Sequence, residues 1–186
     1  MAVFYQPNSG QKRVTLKAGD LLINTSTFKP AHCGIVVKNQ DIIHATNKGI
    51  VSTDIDMWGQ EADLFRPAVD LSDEDADAID GIANEIKDSA RYGLGRAVFK
   101  STFSLGYAGS GLQKRLAKYR ERLQNNQGVV KNVYCSELVI LCYQLFRDNS
   151  EHPLFIKLDG KRTWPSTLRR YLKGSIHWRH LGQYKP

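Results

Sequence analysis

The chain has 186 residues, 41% hydrophobic and 24% charged, with a formal net charge of +7, the make-up of one soluble domain with a substantial core. It contains no apolar run of about 18 residues, which excludes a membrane-spanning helix. Met1 to Pro7 lack the basic segment and apolar core of a secretory signal, so the chain is expected to be made in the cytoplasm.

Short strands come first. Leu21 to Asn24 follow a Gly19-Asp20 turn. Cys33–Val37 and Asp41–Ala45 flank Lys38-Asn39-Gln40 and read as a hairpin, and Gly49–Thr53 and Asp63–Arg66 read as two further strands. A helix is then predicted from Ser72. Ser72 caps it, Asp75 stands at the capping-box position, Asp73 and Glu74 suit the positive end of the dipole, and Ile79, Ile82, Ala83 and Ile86 form its apolar stripe. Residues 91–111 are rich in Gly, Ser and aromatics and carry no regular period.

Leu112 to Leu123 form a basic amphipathic helix, with Leu112, Leu116, Tyr119 and Leu123 on one side and Lys114, Arg115, Lys118, Arg120 and Arg122 elsewhere. That pattern suits a surface helix packed on the domain, or a lid that touches a membrane. The next helix runs from Tyr134 to Phe146 along Leu138, Leu141, Cys142 and Leu145. Pro165 opens another to Leu172, and Ile176–His180 reads as a last strand. The expected organisation is one α+β domain over residues 1–186, with a helical insertion at about 91–128.

Charge is unevenly spread. Acidic side chains crowd into residues 51–90 and basic ones into 91–186. Such a split marks either a polyanionic partner or a solvated surface. No nucleic-acid-binding motif is present, so no nucleic-acid partner is expected.

Three cysteines, Cys33, Cys135 and Cys142, include no CxxC pair. Cys135 and Cys142 lie about 10 Å apart along one helix, too far for a disulfide. Cys135 stands in the first turn of an apolar helix, where the dipole favours thiolate and a backbone amide faces any oxyanion formed there. Two histidines supply a candidate base. His32 opens the strand Cys33–Val37, and His44 lies in its hairpin partner. With a three-residue loop, Val37 pairs with Asp41 and Gly34 with His44, so His32 and His44 share one face as diagonal neighbours. In this reading Cys135 attacks a carbonyl, His32 moves the proton, and His44 accepts a hydrogen bond from the far nitrogen of His32. Cys33 faces away from His32.

Tyr134-Cys135-Ser136-Glu137-Leu138-Val139 resembles the nucleophile motif of the NlpC-type cysteine peptidases, and Ala31-His32-Cys33-Gly34-Ile35-Val36 resembles their His-x-Gly-Ile strand. Arg91-Tyr92-Gly93 resembles their Tyr-containing loop. Here the His strands precede the Cys helix, the order of the circularly permuted branch that includes the lecithin:retinol acyltransferase-like proteins. The twelve-residue spacing of His32 and His44 is similar to the pattern of those proteins. The resemblance spans Gly19 to Val139 with 94–130 unmatched, and Tyr134 replaces the Asp common in ordinary members.

The resemblance implies a papain-like fold, an antiparallel sheet packed on a nucleophile helix, and a Cys135-His32-His44 triad with Tyr134, Tyr92 and Ser136 beside the oxyanion or substrate. It implies no cofactor and no metal. The implied activity is cysteine-dependent cleavage of an amide, with a peptide or peptidoglycan as substrate. A basic, signal-free enzyme of this kind resembles antibacterial effector toxins exported by a dedicated secretion system, which have cognate immunity or delivery proteins. The alternatives are a lipid acyltransferase or phospholipase, and a zinc module built on His32, Cys33, His44, Cys135 and Cys142, whose spacing lacks the close pairs of structural sites.

Overall fold

The computed structural model of the protein describes residues 2–6, 10–24, 31–92, 111–125, 127, 132–147 and 149–185. Ten strands and five helices are found there, as the α+β reading expects. Eight strands form one antiparallel sheet: β1 (Ala2–Gln6), β2 (Gly10–Val14), β3 (Leu21–Asn24), β4 (His32–Val36), β5 (Ile42–Thr46), β6 (Gly49–Thr53), β7 (Ala62–Pro67) and β10 (Trp178–Tyr184), in the order β2-β1-β10-β7-β3-β4-β5-β6. A short parallel pair, β8 (Arg91–Tyr92) and β9 (Asn132–Val133), leads into the central helix. The helices are α1 (Ile55–Trp58), α2 (Asp73–Ser89), α3 (Gly111–Gln124), α4 (Cys135–Phe146) and α5 (Pro165–Gly174).

Alternation along the strands makes two cores. Leu21, Ile23, Cys33, Ile35, Ile43, Ala45 and Phe65 face the helices α2 to α5. Leu22, Val36, Ile42 and Leu64 face a smaller cluster closed by Val14, Leu16, Trp58 and Tyr184. The sheet is therefore buried on both sides near its centre, which explains the continuous burial of β3.

Ser72 caps α2, accepting a hydrogen bond from Asp75 N at 3.1 Å, and Ile79, Ile82, Ala83 and Ile86 are its buried residues, as their spacing predicts. The Asp75 carboxylate pairs with Arg147 on the far end of α4 at 2.8 Å. In α3, Leu112, Leu116 and Tyr119 are buried and Leu123 packs against the same core.

Two expectations need correction, and three elements were not predicted. The stripe assigned to α4 understates it, because every residue from Cys135 to Leu145 is buried. With the sheet, α2, α3 and α5 all around it, this helix has no solvent face for a stripe to mark. The last strand begins at Trp178 and runs to Tyr184, while Ile176 is 86% exposed. The first two strands and α1 carried no sequence signal that singled them out. Gln11-Lys12-Arg13 is an unbroken polar run with no period of two, and α1 is a single turn.

Candidate active site around Cys135

The hairpin that carries the two histidines has the register the loop length predicts. Val37 N donates to Asp41 O at 2.8 Å, and Gly34 pairs with His44. Gly34 is needed here. A Cβ at this position would stand 2.5 Å from Ile42 Cγ2 and 3.1 Å from His44 Cβ, so only hydrogen lets β4 and β5 close with the imidazole in place. His32 Nε2 and His44 Nδ1 are then 2.7 Å apart.

His44 is 8% exposed. Burial, and then the charge of His32, lower its pKa to about 4. It is therefore neutral at pH 7, with one ring proton. Its Nε2 lies 3.1 Å from Thr53 Oγ1 on β6. Both contacts are satisfied when His44 Nε2–H donates to Thr53 and His44 Nδ1 accepts from His32 Nε2–H. Trp58 stacks on His32 at 5.2 Å between ring centroids, tilted by 24°, and meets His44 edge-on at 5.1 Å. An aromatic face there stabilises a positive imidazole ring and fixes its plane.

Cys135 begins α4 and packs over the start of β4. Tyr134, the N-cap residue, makes no side-chain cap hydrogen bond, so the positive end of the dipole acts on the thiol without a competing side-chain oxygen from the cap. The neighbouring Cys33 thiol is the largest influence lowering the Cys135 pKa. Burial opposes it, and a hydrogen bond and positive charge from His32 add to it. The outcome lies well below the ordinary thiol value. Cys33 moves the opposite way, raised by its complete burial and then by Cys135. Burial pushes Cys142 up to about 12. Of the three thiols, only Cys135 is driven toward thiolate.

Cys33 does face away from His32, as alternation requires. Its side chain meets α4, which sequence reasoning missed because the contact depends on how the helix lies across the sheet. Thr53 and Trp58 were missed for the same reason. The one available signal was position: Thr53 lies nine residues after His44, in the next strand.

Tyr134 and Ser136, expected beside the oxyanion or substrate, direct their side chains to the 160–163 segment. Ser136 Oγ donates to Thr163 O at 2.5 Å, and the Tyr134 hydroxyl donates to Gly160 O and to Thr163 O. Both side chains are buried and clamp the 160–163 segment beside the helix start. Burial first, and then the charge of Glu137, raise the Tyr134 pKa, so its hydroxyl stays protonated. The β8 backbone pairs Tyr92 with Val133 two residues before Cys135. The Tyr92 side chain lies outside the described residues.

Among the described residues, no group of three or more His, Cys, Asp or Glu is arranged to hold a metal ion. No described helix is long and apolar enough to cross a membrane. No protein-family model matches the chain, no curated protein matches it in sequence, and no solved structure matches its fold.

Proposed function

We propose that the protein is a cysteine hydrolase that cleaves amide bonds, of the circularly permuted NlpC-type papain-like kind, with peptidoglycan peptides as its substrate. The observation that carries this reading is the contact of His32 with His44 and of His44 with Thr53, beside a helix-start Cys135 whose pKa is lowered by Cys33 and then by His32. A thiol, a base, an orienting group and a final acceptor are what nucleophilic acyl transfer requires, in that order.

In this mechanism the Cys135 thiolate attacks the amide carbonyl carbon. The first-turn amides of α4 face the oxyanion that develops. His32, protonated at the nitrogen facing the sulfur, gives that proton to the departing amine as the C–N bond breaks, leaving a thioester on Cys135. His32 then takes a proton from water, the hydroxide attacks the thioester, and the thiolate leaves as the carboxylic acid forms. His44 and Thr53 hold one tautomer and one ring orientation through both halves.

Lipid acyl transfer by the same residues is the second reading, carried by the direct contact of two histidines twelve residues apart. The placement of α3 weighs against it. Arg115 bonds Asp159 at 2.8 Å, and Arg120 donates to the carbonyls of Gln144 and Arg147, so two of the five basic side chains point into the domain. The test is incubation of the purified chain with peptidoglycan fragments and, separately, with phospholipid vesicles, followed by mass spectrometry of the products. Muropeptide cleavage by wild type, and none by Cys135→Ala, is the expected result. Lipid products alone would select the second reading, and cleavage by Cys135→Ala would remove Cys135 from the chemistry. Export as an antibacterial effector, with a cognate immunity protein, is part of the same proposal, supported by the resemblance to such toxins.

A further inference from the structure

A second cluster of polar side chains lies on the same face of the sheet as Cys135. Asp63 on β7 pairs with Ile23 on β3, and Ile23 pairs with Cys33 on β4, so the three side chains form one row toward the helices. Neighbouring strands are about 4.8 Å apart, which puts Asp63 about 10 Å from Cys33. Asp63 is 4% exposed, yet its carboxylate is saturated. His180 Nε2 contacts Oδ1 at 2.7 Å and Arg169 Nε donates to Oδ2. Burial alone would raise the Asp63 pKa, but the hydrogen bonds from His180 and Arg169 outweigh it and hold it below the usual value.

What this cluster leaves over is informative. Arg169 uses only Nε on Asp63, so its two terminal nitrogens have no partner among the described residues, and neither does His180 Nδ1. Both side chains are partly open, at 32% and 28% exposure. The free edge of a guanidinium is a two-pronged donor that matches a carboxylate. Its position relative to the thiol is fixed from both sides. The sheet row sets Asp63, and Ser136, adjacent to Cys135, holds Thr163 just ahead of α5, the helix that carries Arg169.

We propose that Arg169 and His180, positioned by the buried Asp63, bind a carboxylate of the substrate two strands along the sheet from Cys33. The inference rests on the amide-hydrolase reading and deepens it, since it names a free carboxylate as a feature of the substrate.

The test has two arms. In the first, acetate and acetamide are titrated into the full chain while the His180 ring signals are followed by NMR. Acetate should shift them saturably and acetamide should not, and Arg169→Lys, which keeps the charge against Asp63 but loses the fork, should weaken acetate binding about tenfold. In the second, turnover of a muropeptide is compared with that of the same muropeptide with its free carboxylates amidated. Arg169→Lys should raise KM about tenfold for the first with kcat unchanged, and leave the second unaffected. Acetate and acetamide acting alike would overturn the subsite, as would equal KM changes for the two muropeptides. Saturable acetate binding without turnover of either muropeptide would overturn the substrate assignment and locate the failure in the hydrolase reading.

Discussion

At the scale of single residues, Cys33 is the group whose contribution is most easily isolated. It is fully buried, and its thiol is the largest influence lowering the Cys135 pKa. Cys33→Ala removes a donor that favours thiolate, so the pH at which Cys135 becomes half-reactive should move upward, measured as alkylation rate against pH. An unchanged profile would leave His32 and the helix dipole as the whole cause. His44 makes a separate prediction about stability. Its folded pKa is about 4 against 6.5 unfolded, so the unfolded chain takes the proton first as pH falls. The stabilisation is complete above pH 6.5 and is lost on going down to about 4. Discounted for solvent screening, this amounts to about 2 kcal/mol. His44→Gln should flatten that part of the stability curve, read by denaturant unfolding at several pH values.

Among elements, the β4–β5 hairpin and α4 define the site. Adding one methyl at Gly34 tests the hairpin. Gly34→Ala forces Ile42 and His44 aside and should cost about 1–3 kcal/mol, with a loss of turnover larger than unfolding accounts for. Full turnover in this variant would show that the precise placement of His44 is unimportant. The hairpin was readable in the sequence because a period of two and a three-residue loop fix which side chains share a face. The Ser72 cap and the stripe of α2 were readable because both are local. The contact of Cys33 with Cys135 was not, nor was the link from Asp63 to Arg169, 106 residues away in the chain. Both depend on how helices lie across the sheet, which no local pattern encodes. The last strand was misplaced for a related reason. Trp178–Tyr184 lies between β1 and β7 but carries Arg179, His180 and Gln183, so its apolar content is too low to announce an inner strand.

Taken as a whole, the molecule folds its uneven charge back on itself. The acidic α2 meets two basic side chains from distant segments, Asp75 pairing with Arg147 and Asp77 with Lys38, while Asp80 accepts from the backbone N–H of Lys38. Charge separated along the chain is thus joined in space, which weakens the case for a polyanionic partner. On α3, Lys114 and Lys118 are exposed and Arg122 is partly so, while the apolar side is buried. Each basic group near an anionic bilayer contributes only about 1 kcal/mol. Sedimentation with vesicles should therefore show equally poor binding to neutral and anionic lipid. Binding that falls with salt and disappears when Lys114, Lys118 and Arg122 are replaced would instead favour chemistry on lipids.

The central claim, that Cys135 is a nucleophile activated by His32, is tested most directly by timed iodoacetamide labelling of the folded chain near pH 6, with the label located on Cys33, Cys135 and Cys142 by mass spectrometry. Cys135 should take the first label at least about tenfold faster than either other cysteine, and His32→Ala should slow its labelling while Cys33 and the helix dipole keep part of the advantage. Equal labelling of the three thiols, or labelling of Cys135 at an unchanged rate in His32→Ala, would contradict the account.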